Sequence, residues 1–253
     1  MNENIKSDKN EITKKVKIMF GQCGYNGRIH LEQVMQYCAD LVTDLYTQNG
    51  QSRAFLNSHG YIQMVSRTSI HINRLPCENE EIIITVREEK PEGFQMMRYY
   101  NFSNVNSETL IEGKSLWVIV KPVSREIVSP DKFEFCIKSD SQTPFERKPG
   151  KIRFSSDLLQ YLGEQKILLS HLDPNGHLTN SRYINFALDF LPENYQEKNI
   201  TDFKLNFCKE IKKGETMYIY AIFDDNSKKI IVAGKHQNDV KSESSFECEL
   251  IYK

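Results

Sequence analysis

Residues 171–177, His-Leu-Asp-Pro-Asn-Gly-His, place a carboxylate (Asp173), a carboxamide (Asn175) and an imidazole (His177) within five positions of one another. Imidazole titrates near neutral pH, a carboxamide holds a water or a carbonyl oxygen, and a carboxylate fixes a tautomer or orients a neighbour. An amphipathic stretch follows at once, and the N–H groups that open a helix favour developing negative charge. Together these groups suit proton transfer beside a carbonyl that becomes an oxyanion. They also suit a bare chain reversal, with Asp173 and Asn175 making side-chain turns and His177 on the surface. The residue types alone leave both readings standing.

A second carboxylate, Glu210, closes a segment read as a strand over residues 202–210, where alternation groups it with Asn206 and Cys208. Partly shielded from water, it would activate a water molecule. Flanked by Lys209, Lys212 and Lys213, it reads more simply as an exposed surface residue. No metal is expected, because His171, Asp173 and His177 lack the i, i+4 helical pair of metal-binding helices and no third His or Cys lies near. No cofactor loop is found either. Gly21, Gly24 and Gly27 are spaced wrongly for a dinucleotide and read as a turn. Cys23 and Cys208 have no base beside them and read as packing residues.

The elements that position these groups occur twice. Residues 13–22 read as a strand, followed by the Gly-rich turn and a helix over about 29–46. On that helix Val34, Met35, Cys38 and Leu41 share an apolar face. Strands follow at 59–74, 80–89, 94–103 and 108–121, with Pro91-Glu-Gly93 as a hairpin turn. The same order returns as a strand at 164–170, the Asp-Pro-Asn-Gly turn, a helix over about 180–191, and strands at 202–210, 215–223, 229–236 and 240–252. An offset of 149 sets Asn26-Gly27 on Asn175-Gly176 and Val34-Met35 on Tyr183-Ile184. Gly24 and Arg28 then stand where the second repeat has Asp173 and His177, so only one repeat carries the acid and imidazole.

One long helix and four following strands, twice over, predict an α+β chain of two tandem hot-dog domains, each an antiparallel sheet wrapped around its helix. The expected divisions are an N-terminal domain over residues 1–137, a linker over 138–150 and a C-terminal domain over 151–253. With 253 residues, 39% hydrophobic and 26% charged, the composition is that of an ordinary globular protein. A net charge of −1 gives no reason to expect nucleic acid or a membrane surface as partner. Local basic groups (Arg147, Lys148, Lys151 and Arg153, with Lys209, Lys212 and Lys213) could meet an acidic partner or a phosphate, but read more simply as a solvated linker and turn. The polar start is unlike a secretory signal, no apolar run approaches a membrane span, and six scattered cysteines form no CxxC pair. A reduced, cytoplasmic setting is expected.

At Leu172-Asp173-Pro-Asn175-Gly-His177-Leu-Thr-Asn180-Ser-Arg-Tyr183-Ile184 the sequence resembles the acyl-acyl carrier protein (acyl-ACP) thioesterases, bacterial type, whose second hot-dog domain carries Leu-Asp-x-Asn-x-His-x-x-Asn-x-x-Tyr-Ile. The resemblance extends over nearly the whole chain. His71-Ile-Asn-Arg-Leu-Pro76 with Glu80-Glu81-Ile-Ile-Ile-Thr85, Arg98, and Ser115-Leu-Trp117-Val-Ile-Val are similar to the family's first half. It implies hydrolysis of a fatty acyl thioester on the phosphopantetheine of acyl carrier protein, in fatty acid biosynthesis. It carries the family's catalytic Asp, Asn, His and Glu onto Asp173, Asn175, His177 and Glu210. The plant enzymes have Cys directly after that Glu; Ile211 stands here, which favours direct attack by water over a Cys nucleophile. The resemblance also assigns acyl-chain binding to the first domain, with Val34, Met35, Cys38 and Leu41 as the apolar slot. Rival expectations are a hot-dog acyl-CoA thioesterase and a non-catalytic acyl-binding module. Either a monomer or a homodimer fits a chain that already holds two hot-dog halves.

Overall fold

The computed structural model describes residues 3–253; Met1 and Asn2 of the polar start lie outside them. Two units divide the chain, residues 1–149 and 150–253. The first opens with strands β1 (Glu3–Asp8) and β2 (Glu11–Lys17), then a 3₁₀ turn at Phe20–Gln22 and the helix α1 (Leu31–Gln48). After the short α2 (Arg53–Ser58) come β3 (Ile62–Ile72), β4 (Glu81–Glu92), β5 (Gln95–Asn104), β6 (Thr109–Lys121) and β7 (Glu126–Val128). The sheet is antiparallel in the order β1-β2-β4-β5-β6-β3, with β7 added on β6.

Nine residues of α1 are buried, among them Val34, Met35, Cys38 and Leu41, and the helix packs on β2 and β4. Each apolar side chain taken out of water in this way contributes roughly 1.5–3 kcal/mol. Inside this unit Arg98 of β5 is fully buried, paired with Glu88 at 2.5 Å and stacked between the rings of Tyr46 and Trp117. Residues 138–149 have no regular structure but are fastened to the same sheet. Lys90 N–H donates to the Ser141 carbonyl, Thr143 N–H donates to Glu89, and Phe145 is buried.

The second unit repeats the plan more briefly. β8 (Gln160–Lys166) leads through a 3₁₀ turn at Leu169–His171 to α3 (Arg182–Asp189) and a single turn, α4 (Glu193–Gln196). Strands β9 (Ile200–Phe207), β10 (Thr216–Asp224), β11 (Lys229–Lys235) and β12 (Ser244–Tyr252) form an antiparallel sheet in the order β9-β12-β11-β10-β8. Tyr183, Ile184, Phe186 and Ala187 of α3 are buried, and the helix lies on β11 and β12.

Several expected boundaries move. The strands expected at 13–22 and 164–170 end at Lys17 and Lys166, and the apolar residues after them enter 3₁₀ turns. The β4–β5 hairpin turns at Gly93 and Phe94, with Pro91 still in the strand and Glu92 paired to Gln95. α3 begins at Arg182, two residues later than expected, because Thr179, Asn180 and the buried Ser181 form its entry.

Candidate active site

Asp173 spends its carboxylate on the turn that contains it. Oδ1 accepts the N–H of Asn175 (2.8 Å) and of His177 (3.1 Å), and Oδ2 accepts Nδ2 of Asn175 (3.2 Å). The backbone closes the same loop, with Asp173 N–H to the His177 carbonyl at 2.8 Å and Gly176 N–H to the Asp173 carbonyl at 2.9 Å. Gly176 sits at φ +79°, where a side chain would be strained. The turn therefore has a fixed shape, and it presents a half-exposed His177 ring.

That ring meets Glu210, with Nε2 3.0 Å from Oε1. Glu210 does not belong to a strand. β9 ends at Phe207, and Glu210 lies in the loop that follows, reaching the imidazole from 33 residues further along. The loop is tied at both ends. Cys208 and Lys209 donate their N–H groups to the carbonyls of Ser245 and Ser244, and the Lys209 ammonium pairs with Glu243. Beyond Glu210, Lys212 N–H donates to Glu215 Oε2 (2.7 Å) and Gly214 N–H donates to the Ile167 carbonyl (2.8 Å). Ile211 between them is wholly buried, so position 211 points into the core while Glu210 points out.

Near Glu210 lies Tyr183, buried edge-on against Phe207 and tilted against Phe246, with its hydroxyl 3.4 Å from Ser245 Oγ. Burial, reinforced by the nearby Glu210, Cys208 and Asp173, pushes its phenol up to about 12, which keeps it neutral. Ser244, Ser245 and Glu243 were not among the residues singled out from sequence. They act through main-chain carbonyls, the Ser245 hydroxyl and an exposed ion pair, which leave no pattern in the chain.

The first repeat builds the same turn without the chemistry. Gly24 N–H donates to the Arg28 carbonyl and Gly27 N–H to the Gly24 carbonyl, each at 2.9 Å, matching the two bonds around Asp173. Its opposing loop matches as well. Asn79 N–H donates to the Ile18 carbonyl and Cys77 N–H to Glu80 Oε2, as Gly214 and Lys212 do in the second repeat. Leu75 then stands in the place of Glu210, and Arg28 reaches its carbonyl oxygen at 3.0 Å where His177 reaches a carboxylate.

Val34, Met35, Cys38 and Leu41, the expected substrate contacts, all lie in the core beneath the first sheet. A cavity of about 270 Å³ in that unit is lined by other residues, including Glu89, Lys114 and Phe145. His171 is placed away from a ligand role: Leu168 N–H donates to its Nδ1 and its ring packs on Phe186. Among the described residues no cluster of three or more His, Cys, Asp or Glu has the geometry to hold a metal ion. Of the two cysteines read as packing residues, Cys23 is half-buried and Cys208 is exposed, its thiol directed at the Asn206 carbonyl.

Two helix-and-sheet units of this order, only the second of which carries the acid and imidazole in its turn, define a tandem hot-dog protein. Residues 9–132 match the acyl-ACP thioesterase N-terminal domain and residues 163–251 the acyl-ACP thioesterase C-terminal domain. The chain belongs to the acyl-ACP thioesterase family, thioester hydrolases that release a fatty acid from acyl-ACP. The fold is that of an acyl-ACP thioesterase from Bacteroides thetaiotaomicron, with TM-score 0.82, 21% identity and coverage of 96% of this chain and 98% of that one. It is also that of a 12:0-ACP thioesterase from Umbellularia californica, with TM-score 0.81, 13% identity and coverage of 96% and 97%. No curated protein matches the sequence. No helix among the described residues is long and apolar enough to cross a membrane.

Proposed function

We propose that hydrolysis takes place at the His177–Glu210 pair and that water is the nucleophile. The observation that carries this reading is the 3.0 Å contact between His177 Nε2 and Glu210 Oε1 on a half-exposed face, with Ile211 buried behind it. Glu210 takes a proton from a water molecule, whose oxygen bonds to the thioester carbonyl carbon. The tetrahedral intermediate then expels the pantetheine sulfur, which leaves with a proton returned through His177. Asn175 helps hold the water. The N–H groups of Asn175, Gly176 and His177 are committed to Asp173 and that of Arg182 to the Thr179 carbonyl, so the oxyanion is assigned to the N–H groups of α3 that follow Arg182. Asp173 is a positioning residue that sets the turn.

Residues 1–137 take the acyl chain along the seam between α1 and its sheet, where Val34, Met35, Cys38 and Leu41 lie, and residues 151–253 carry the reaction. Acyl carrier protein bearing the phosphopantetheine thioester is the partner, in the cytoplasm. The catalytic pair comes from one unit of one chain, so a monomer suffices. Glu210→Gln and His177→Ala should each lower kcat on acyl-carrier thioesters by roughly a hundredfold or more. Full turnover in either variant would refute the assignment.

A further inference from the structure

Both repeats hold two large apolar side chains in water at the same place. Met19 and Phe20 are 59% and 79% exposed, and Leu168 and Leu169, at the offset of 149, are 49% and 69% exposed. In each repeat they follow a wholly buried isoleucine, Ile18 or Ile167, and enter a 3₁₀ turn. Each lip is flanked by the loop already matched above, pinned to that isoleucine by a pair of backbone hydrogen bonds. The backbone is shared, but the charge is not. The tip of the loop reads Lys212-Lys213 in the second repeat and Cys77-Glu78 in the first. Both lysines are exposed and lie two and three residues beyond Glu210. The repeat that bears the His–Glu pair is thus the one whose apolar lip is edged with positive charge.

We propose that Leu168 and Leu169, with Lys212 and Lys213, form the docking surface for the carrier protein itself. The partner surface would set carboxylates against the lysines around an apolar contact on the two leucines. Charge complementarity of this kind chiefly raises the rate and fidelity of encounter, and it is screened by salt. The inference rests on the assignment of His177 and Glu210 as the catalytic pair, since that is what makes this lip the edge of the active site.

The test compares acyl-carrier protein with acyl-phosphopantetheine of the same chain length as substrates, for the wild type, Lys212→Glu/Lys213→Glu, Leu168→Ser/Leu169→Ser and Glu78→Gln. The lysine and leucine variants should each lose tenfold or more in kcat/KM on the carrier substrate, mainly through KM. They should keep wild-type turnover of acyl-phosphopantetheine, and the lysine variant should no longer be inhibited by salt on the carrier substrate. Direct binding of the carrier protein should weaken in parallel, and Glu78→Gln should match the wild type. Equal losses on both substrates for the lysine variant would mean that the lysines hold the phosphate of the arm, and would overturn the proposal. Unchanged carrier binding in both double variants would overturn it as well. A wild type that binds the carrier through this lip while Glu210→Gln keeps full turnover would instead refute the catalytic assignment alone.

Discussion

At the scale of single residues, the informative result is that the acid of the motif works on the backbone. Asp173 accepts two N–H groups and the Asn175 amide, so its loss removes the scaffold of the turn before it removes any charge from the reaction. Asp173→Ala should lower kcat roughly a hundredfold by displacing His177. Asp173→Asn, which keeps one acceptor oxygen but sets its amide against Asn175 Nδ2, should lose only about tenfold. Similar losses in the two variants, measured as kcat on one acyl-carrier substrate, would count against this role. The proposed water nucleophile is tested at the same scale. Cys208 is exposed two residues before Glu210, whereas Ile211 is buried after it. Cys208→Ala should therefore retain at least half of wild-type turnover, and the wild type should release carrier thiol without a burst ahead of the fatty acid.

At the scale of elements, the duplicated turn provides an internal control. Gly27 at φ +70° and Gly176 at φ +79° occupy matching positions, and a Cβ at either meets nothing within 4 Å. Alanine at either site should cost the same conformational energy, about 1–2 kcal/mol of unfolding stability. Only Gly176→Ala should also lower turnover, by tenfold or more, because only that turn presents His177 to Glu210. Chemical denaturation and kcat measured on both variants separate the two effects. The sequence patterns give these turns, the main helix of each repeat and the strands that follow it, since helical and alternating periodicities are local; the short β1, β7, α2 and α4 carry too few residues to show a period. The patterns misplace the ends of two strands for one shared reason. Ile18-Met19-Phe20 and Ile167-Leu168-Leu169 continue an apolar run, and an apolar run reads as buried strand, yet only the isoleucine of each is in the core. The meeting of His177 with Glu210 was not legible from residue types either. Thirty-three residues separate them, and before the family resemblance Glu210 looked like one charge among several lysines.

At the scale of the whole molecule, one group in each unit should contribute to the pH dependence of stability, Glu80 on the acid side and Tyr183 on the alkaline side. In the first unit, hydrogen bonds from Arg74 hold the Glu80 carboxyl below its usual range, with the Cys77 N–H adding to the effect. A carboxylate with a depressed folded value stabilises the fold above its unfolded value of 4.5 and loses that contribution as pH falls through the folded one. In the second unit, burial raises the Tyr183 phenol from 10.0 to about 12. Its neutral form is favoured in the folded state, so its contribution is full below pH 10 and is lost as pH rises toward 12. The size of that shift corresponds to about 3 kcal/mol at most. Urea unfolding of wild type, Glu80→Gln and Tyr183→Phe across pH 3–11 should show the acid limb flattened only by the first substitution and the alkaline limb only by the second. At neutral pH, Tyr183→Phe should cost no more than about 1 kcal/mol, since the hydroxyl it removes makes one long hydrogen bond, to Ser245. An acid limb of wild-type slope in Glu80→Gln, or an alkaline limb of wild-type slope in Tyr183→Phe, would remove that group from the account.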